Sequence, residues 1–148
     1  MFIAMLLSVT LVVGTIFIHF EALRFTSTFL PLCGQSGRSR MFVVIAGIFL
    51  AHMVEISLYA LGYFSLEQVA SLGELGGAHD PTLMGYLYYS VVSFTSLGLG
   101  DIVPAGHLRV ISGIEALNGL VLIGWSTSFT FLAMRRYWPI EIGGDGGS

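Results

Sequence analysis

Residues 86–104 read YLYYSVVSFTSLGLGDIVP, and this stretch decides how the chain can fold. Its first part, 86–94, is aromatic and apolar but far shorter than the about 20 residues that a membrane-spanning helix needs. The following run, TSLGLGD at 95–101, places glycine at every second position, where conformations closed to other residues become available. Non-helical backbone at membrane depth must satisfy its own polar groups or line water or ions. The stretch therefore predicts a segment that dips into a membrane and presents carbonyl oxygens to a cation.

The composition of the chain indicates an integral membrane protein. Of its 148 residues, 55% are hydrophobic and only 10% are charged, and the mean hydropathy is +0.84. Soluble domains carry about 25% charged residues. The net charge of −3 and the lack of lysine exclude a basic surface for nucleic acid. The single cysteine, Cys33, can form neither an internal disulfide nor a C-x-x-C metal site.

Hydropathy and turn residues divide the chain into three spans and the stretch quoted above. The expected segments are a first transmembrane helix at 1–24, a linker at 25–40, a second span at 41–64, a loop at 65–80, a short helix at 81–94, the glycine run at 95–101, a last span at 109–134 and a flexible tail at 139–148. The first helix is expected to stay uncleaved, because a signal peptide would need a basic start and a cleavage site. Asp80 is the expected N-cap of the short helix, with Pro81 at its first position.

The arginines predict the orientation of the chain. Five of the six flank spans on one side, and Arg109 alone lies on the other; the five are Arg24, Arg38, Arg40, Arg135 and Arg136. Because positive residues concentrate in cytoplasmic loops, we expect a multi-pass protein of the plasma or inner membrane. Its N-terminus would lie outside and its C-terminus in the cytoplasm.

The central stretch resembles the pore loop and selectivity filter of the potassium channel superfamily. The filter of that family reads T-V-G-Y-G-D, usually after a second threonine, and residues 95–101 align with these seven positions without a gap. The D-x-x-P ending of the family matches Asp101 to Pro104, and Tyr88-Tyr89 stand where the family often has two tryptophans.

The resemblance runs from about residue 83 to 138 and includes an outer helix at 41–62, but not residues 1–35. It implies an all-α membrane protein with three transmembrane helices, a re-entrant pore helix and a filter. Residues 41–138 would form the ion-channel pore domain of a small prokaryotic-type member, related to two-transmembrane and two-pore-domain channels, with an extra N-terminal helix. Four copies would assemble into a homotetrameric pore among membrane lipids and conduct K⁺ passively. No cofactor, small-molecule substrate or nucleic-acid partner is expected, and no metal beyond permeant K⁺ or Na⁺.

The resemblance assigns ion binding to the filter. The residues concerned are Thr95, Ser96, Leu97, Gly98, Leu99, Gly100 and Asp101. Carbonyl oxygens from Ser96 to Leu99, with the Ser96 hydroxyl, would form successive rings that replace the hydration shell of K⁺. One chain supplies one oxygen to each ring, so four chains must meet on an axis. Asp101 would add an acidic ring at the outer mouth.

The filter departs from the family pattern at three positions. Ser96 replaces threonine, Leu97 replaces valine and Leu99 replaces tyrosine. The tyrosine of the family hydrogen-bonds to a surrounding aromatic cuff, and leucine has no group that can do so. We therefore expect a K⁺-conducting pore with a softer filter; a non-selective or Na⁺-permeable cation channel is the alternative.

Ionisable residues inside the spans are expected to support the filter. The predicted supporting residues are His52, Glu55, Tyr88, Tyr89 and Glu115, with Ser93 or Thr95 as hydrogen-bond partners. Counting the helical rise places His52, Glu55 and Glu115 in the outer half of the membrane, near the filter. A polar cluster that braces the filter is the main interpretation. A gating or proton-sensing role and a His-x-x-Glu metal site are the alternatives.

Two glycines in the last span, Gly119 and Gly124, are candidates for a gating hinge, because glycine lowers the cost of bending a helix. Close packing of helices through small residues is the equally weighted alternative. The packing of the first helix is left open: it can lie outside the pore unit or be exchanged between neighbours.

Two other functions fit parts of the sequence. Intramembrane aspartyl proteases also carry a G-x-G-D motif, which residues 98–101 match. Such an enzyme needs a second aspartate inside a span, but Asp80 and Asp145 both lie in polar segments. We therefore expect no enzymatic activity. A non-conducting regulatory channel subunit is the second alternative, and the intact glycine–aspartate frame of the filter speaks against it.

Overall fold

Three long helices and one short helix make up most of the computed structural model, which describes residues 2–30, 36–78 and 80–137. In chain order these are α1 (Phe2–Phe29), α2 (Gly37–Phe64), α3 (Leu83–Phe94) and α4 (Leu108–Tyr137). A π-helical turn (Ser65–Val69) continues α2, and two short strands, β1 (Leu75–Gly77) and β2 (Ile102–Pro104), pair antiparallel. The predicted tail at 139–148 and parts of the predicted linker and loop, 31–35 and 79, lie outside the described residues.

The long helices have the length and composition of membrane spans. α1 has 28 residues, α2 with its π-helical turn has 33, and α4 has 30; their mean hydropathies are 2.3, 2.2 and 1.4. At a rise of about 1.5 Å per residue, each can cross a hydrocarbon core of about 30 Å. The three apolar spans predicted from hydropathy are confirmed, and each helix extends beyond at least one of its predicted ends.

The side of α1 that faces the protein carries a stripe of polar residues. The stripe contains Ser8, Thr15, His19 and Thr26, all of them buried, while most apolar residues of α1 point outward. The Ser8 and Thr15 hydroxyls donate to backbone carbonyls four residues earlier, at 2.8 and 2.9 Å, so their burial leaves no unpaired donor. α1 packs against both α2 and α4 of its own chain. Its polar stripe thus lines the bundle, and its apolar side is exposed on the surface of the single chain.

The helix ends that carry most of the arginines lie at one end of the bundle. Leu30, Met41, Val44 and Ala133 form one buried cluster there, which joins the end of α1, the start of α2 and the end of α4. The Arg40 guanidinium lies 5.0 Å from the centre of the Tyr137 ring. This arrangement gathers at one end the arginines on which the predicted orientation depends.

α3 packs between α2 and α4, and its start differs from the prediction. Thr82 is the N-cap instead of Asp80: its hydroxyl accepts a hydrogen bond from the Gly85 amide at 3.3 Å. The Asp80 carboxylate accepts from that hydroxyl at 3.2 Å. Thr82 has an extended backbone (φ −96°, ψ 161°), so the chain enters the helix only after it, and Pro81 precedes the first turn.

The C-terminal end of α3 lies directly against α4 at Gly119. A Cβ atom on Gly119 would clash with the Phe94 carbonyl oxygen and lie 2.9 Å from the carbonyl carbon. At Gly124, no described residue comes within 4 Å of an added Cβ. Close packing therefore accounts for the glycine at 119, whereas a hinge at either residue stays a prediction.

We predict opposite effects of alanine at these two glycines. Gly119→Ala forces the end of α3 away from α4, and such overpacking typically lowers the free energy of unfolding by about 1–3 kcal/mol. Gly124→Ala, the matched control, raises it by up to about 1 kcal/mol, because alanine favours helix and has free space here. Unfolding of both variants in detergent micelles checks this. Equal stability of the two variants would contradict the close packing at Gly119.

Candidate functional site

The backbone of the glycine run alternates in conformation immediately after α3. Ser96, Gly98 and Gly100 have φ of +56°, +57° and +79°, while Leu97 and Leu99 between them have no positive φ. Glycine adopts this left-handed region at little cost, whereas a serine there is uncommon. Gly98 and Gly100 thus adopt the left-handed conformation that the alternating glycines of the sequence allow.

Five carbonyl groups of this run, those of residues 96–100, have no partner within the described chain. Among the described residues, no donor bonds to the carbonyl oxygens of residues 96–100. The Leu97 and Leu99 side chains are 62% and 58% exposed. Because backbone carbonyls are rarely left without partners in native structures, these oxygens face water, an ion or another chain.

Both ends of the run are fixed. At the start, the Ser96 and Leu97 amides donate to the carbonyls of Ser93 and Val92, at 2.9 and 3.0 Å. At the other end, the Tyr88 hydroxyl donates to the Asp101 carboxylate at 2.7 Å. This bond raises the pKa of the Tyr88 phenol, which therefore stays a neutral donor at physiological pH. The run is a loop with five free carbonyls held between two anchors.

The loop also leads into the strand pair. The Asp101 carbonyl accepts from the Ala78 amide at 2.9 Å, and β2 begins at the next residue. Leu75 of β1 lies opposite Pro104 of β2. The strand pair thus fixes the path of the chain from the glycine run towards α4.

Glu115 connects α4 to α2 and α3 behind the run. Its carboxyl oxygens contact the Tyr63 hydroxyl at 2.5 Å and the Ser90 hydroxyl at 2.6 Å. Ser90 also lies 2.9 Å from the Ile56 carbonyl oxygen. The Ser90 hydroxyl donates to both the Glu115 carboxyl and the Ile56 carbonyl. With an ionised Glu115 one hydroxyl hydrogen serves two acceptors, whereas a protonated Glu115 gives each of the three contacts its own hydrogen.

The predicted supporting tyrosines lie on two sides of α3. Tyr89 donates to the Ser112 hydroxyl at 2.8 Å and packs edge-on against Tyr63, with ring centres 5.0 Å apart. The Ser93 hydroxyl lies 3.0 Å from the same Ser112 hydroxyl. Tyr89 therefore binds α3 to α4, whereas Tyr88 reaches Asp101. Their role in supporting a filter stays a prediction.

The prediction of a single polar cluster is wrong, because His52 and Glu55 lie apart from Glu115. Their contact on α4 is Ser126, which follows Glu115 by 11 residues, about 16 Å along the helix axis. Of the two predicted partners, Ser93 does interact with the Glu115 carboxyl beside Ser90. Thr95 does not, because its hydroxyl donates to the Val91 carbonyl at 2.7 Å. Depths estimated from the helical rise are too coarse to show that Glu115 lies at a different level from His52 and Glu55.

The sequence analysis missed His19, which completes the second cluster. Its Nδ1 lies 2.9 Å from one Glu55 oxygen, and the Nδ1 of His52 lies 2.8 Å from the other. The Nε2 atoms of both histidines contact the Ser126 hydroxyl, at 3.2 and 3.1 Å. The seven- and four-residue spacing of the α1 polar stripe would have placed His19 on the buried side.

These three side chains have the composition of a metal site but the geometry of a hydrogen-bonded one. The ligand atoms of His19, His52 and Glu55 lie within 4.8 Å of one another. Ligand atoms that share a tetrahedral zinc at 2.0–2.1 Å lie about 3.3 Å apart. The observed nitrogen–oxygen distances of 2.8 and 2.9 Å are those of N–H···O bonds. The expectation that the chain holds no metal besides permeant ions stays a prediction.

We predict that Glu115→Gln preserves the fold and Glu115→Ala does not. The glutamine amide donates to Ser90 and its oxygen accepts from Tyr63, as a protonated carboxyl would, so stability changes by less than about 1 kcal/mol. Alanine leaves the buried Tyr63 hydroxyl without its acceptor, which costs about 1–3 kcal/mol, and leaves Ser90 with only the Ile56 carbonyl. The free energy of unfolding in micelles checks this. A loss in Glu115→Gln as large as in Glu115→Ala would show that Glu115 is ionised.

Comparison with known proteins identifies the part of the chain that holds this site. The family model described as "Ion channel" matches residues 41–136, about two thirds of the chain. The match contains α3, the glycine run and nearly all of α2 and α4, and leaves out α1. No curated protein and no solved structure matches the chain. The match confirms the ion-channel resemblance of the central stretch, and the chain belongs to the ion channel family.

Proposed function

We propose that four copies of the chain form a pore that conducts K⁺ passively, with residues 95–101 as its selectivity filter and α3 as a re-entrant pore helix. The observation that carries this proposal is the glycine run, with its alternating φ and its five unpaired carbonyls. Alternation of left-handed and ordinary residues allows successive carbonyls to face one side of the chain. A row of such oxygens can replace the hydration shell of a cation.

The position of α3 supports this function. α3 has 12 residues, too few to span a membrane, and it ends against Gly119, about 16 Å along α4 from Leu108. The C-terminal end of a helix carries a partial negative charge. This end would lie near the middle of the membrane, where it stabilises a cation that has lost its water.

The exposure of the carbonyl run and of α4 supports the proposed tetramer. One chain offers one carbonyl at each level, and K⁺ needs several oxygens at once. The single chain also leaves large apolar side chains of α4 uncovered, including Leu117, Leu120 and Val121, each more than half exposed. Cyclic symmetry brings equivalent carbonyls onto one axis and covers part of this surface.

The proposed orientation has the glycine run near the outer face. The ends of α1, α2 and α4 that carry five of the six arginines lie together, and Arg109 lies at the other end of α4. The positive-inside rule then places the N-terminus outside and the C-terminus in the cytoplasm. Asp101 would face the outer solution, where four copies attract cations.

The alternative proposal, a non-selective or Na⁺-permeable cation pore, rests on Leu99. Its side chain is 58% exposed and cannot form the hydrogen bond by which a tyrosine stiffens the filter. A protease is not favoured, because Asp80 lies exposed before α3 and bonds to Thr82.

We predict a reversal potential near the K⁺ equilibrium value for the purified protein in a planar bilayer with K⁺ on one side and Na⁺ on the other. Gly98→Ala should abolish the current, because alanine is strained at φ +57°. Gly113→Ala is the matched control: it has no positive φ and free space for a methyl group. Conduction by Gly98→Ala equal to that of the control would contradict a role for this backbone.

The other outcomes of the same recording separate the alternatives. A reversal near zero with clear current favours the non-selective pore, and Leu99→Tyr should then move the reversal towards the K⁺ value. An unchanged permeability ratio in Leu99→Tyr would exclude Leu99 as the cause of low selectivity. Absence of current at every voltage and pH favours a regulatory subunit.

A further inference from the structure

We propose that His19, Glu55, His52 and Ser126 form a buried proton-binding site that holds one exchangeable proton and thereby ties α4 to α1 and α2. The first three groups are the titratable members, and Ser126 supplies the contact on α4. This proposal goes beyond ion conduction and does not rest on K⁺ selectivity, because the site lies outside the proposed filter and includes a residue of α1.

The four side chains form a closed ring. Glu55 bridges the two Nδ1 atoms through its separate oxygens, at 2.9 Å to His19 and 2.8 Å to His52. Ser126 bridges the two Nε2 atoms on the other side, at 3.2 and 3.1 Å. The imidazole rings stack at 5.3 Å with 27° between their planes. All four distances lie within or at the edge of the normal range for hydrogen bonds.

The ring closes with a definite number of protons. Each of its four contacts joins two atoms that can both accept, so each contact needs one hydrogen. An ionised Glu55, two neutral histidines and the Ser126 hydroxyl together bring only three. One further proton completes the ring, and it can reside on either histidine or on the carboxyl group without changing the count.

The state with four protons also has the smallest net charge. With four protons, the ring is neutral overall, as an imidazolium next to a carboxylate or as four uncharged groups. His19 and Glu55 are fully buried, and the His52 side chain is 16% exposed. A net charge is costly at such a position inside a membrane protein. Hydrogen bonding and charge therefore favour the same protonation state.

Loss of the proton affects the contact with α4 most. The Glu55 carboxylate still accepts a hydrogen bond from the Nδ1–H group of each histidine. These two bonds are the stronger ones, because Glu55 is then charged. The Ser126 hydroxyl has one hydrogen and can donate it to only one of the two Nε2 atoms. At its other contact, the hydroxyl oxygen and an unprotonated Nε2 atom face each other as two acceptors. Gain of a second proton leaves both Nε2–H groups donating to Ser126. Alkaline pH therefore loosens α4 from α1 and α2, whereas acid pH does not.

Few other groups can compete for this proton. On α2 the next titratable group is Tyr59, whose hydroxyl accepts from Asn118 at 3.2 Å. On α4 it is Glu115, which bonds to Tyr63 and Ser90. From the other sides, the ring contacts aromatic side chains: Trp125 lies 5.3 Å from His19, and Phe94 at the end of α3 lies 5.6 Å from His52.

On α1, the nearest charged groups form their own pair. Arg24 bonds to both oxygens of Glu21, at 3.2 and 3.1 Å, and their side chains are 68% and 42% exposed. Phe94 links the ring to the proposed pore, because its carbonyl packs against Gly119 and its side chain against His52. A change in proton occupancy can thus reach the base of the glycine run through one residue.

Nitrogen NMR of the full chain in lipid nanodiscs tests the proposal. The chain carries ¹⁵N-labelled histidine, and His79→Gln with His107→Gln leaves only the two ring histidines visible. At neutral pH we expect both Nδ1 atoms to be protonated and one Nε2 proton to be shared by the two imidazoles. Raising the pH should remove that proton in a single step that both imidazoles report together. Two independent titrations, or imidazole nitrogen signals that stay unchanged over the whole pH range, would overturn the proposal.

A variant that closes the ring without the extra proton provides the second test. In Glu55→Gln the amide donates one hydrogen, so four neutral groups bring the four protons needed. Both imidazoles should then be neutral already at neutral pH, with the fold retained. Ser126→Ala should shift the alkaline step, and Ser128→Ala, an exposed serine that bonds to the Gly124 carbonyl, should not. A charged imidazole in Glu55→Gln, or equal shifts in both serine variants, would contradict the proton count. These spectra need no current, so a failure here is distinct from a failure of conduction.

Discussion

The backbone carbonyls of residues 96–100 impose the constraint on which the rest of the structure depends. A loop at membrane depth can leave its carbonyls unpaired only where they line water or ions. Such a loop has few internal bonds, so its shape has to be held from outside. α3 holds its start, Tyr88 and the strand pair hold its end, and Gly119 lets α3 end against α4. The proposed pore is thus a weakly bonded loop on a closely packed support.

The support is polar on the inside, as expected of a chain whose outer surface faces lipid. Two hydrogen-bonded clusters join the helices at separate levels, around Glu115 and around Glu55. The cluster around Glu115 joins α3 to α2 and α4. The cluster around Glu55 also includes α1, which lies outside the matched channel domain but supplies His19. In the cluster around Glu55, the proposed extra proton would complete the hydrogen bonds of the buried side chains, so protonation there would be linked to helix packing.

Sequence patterns predicted the features that depend on interactions between neighbouring residues. Hydropathy gave the three spans, and the alternating glycines gave the left-handed positions at Gly98 and Gly100. Such patterns did not predict which side chains of different helices contact each other. The pairing of His19 with Glu55 joins residues 36 apart, and that of Glu115 with Ser90 joins residues 25 apart. Thr82 replaced Asp80 as the N-cap because Thr82 still has an extended backbone, so the helix begins two residues later than predicted. The proposed ion-binding roles require carbonyls from several chains, and local sequence patterns carry no information on how such chains meet.

The most direct test of the central claim is a structure of the purified protein in lipid nanodiscs and K⁺, determined by electron cryomicroscopy. The account predicts four chains around one axis, with the carbonyls of Ser96 to Leu99 facing it and ion density between successive rings. Gly119 should still contact Phe94 in every chain. An assembly in which the glycine runs do not share an axis, or in which Leu97 or Leu99 side chains occupy it, would contradict the account.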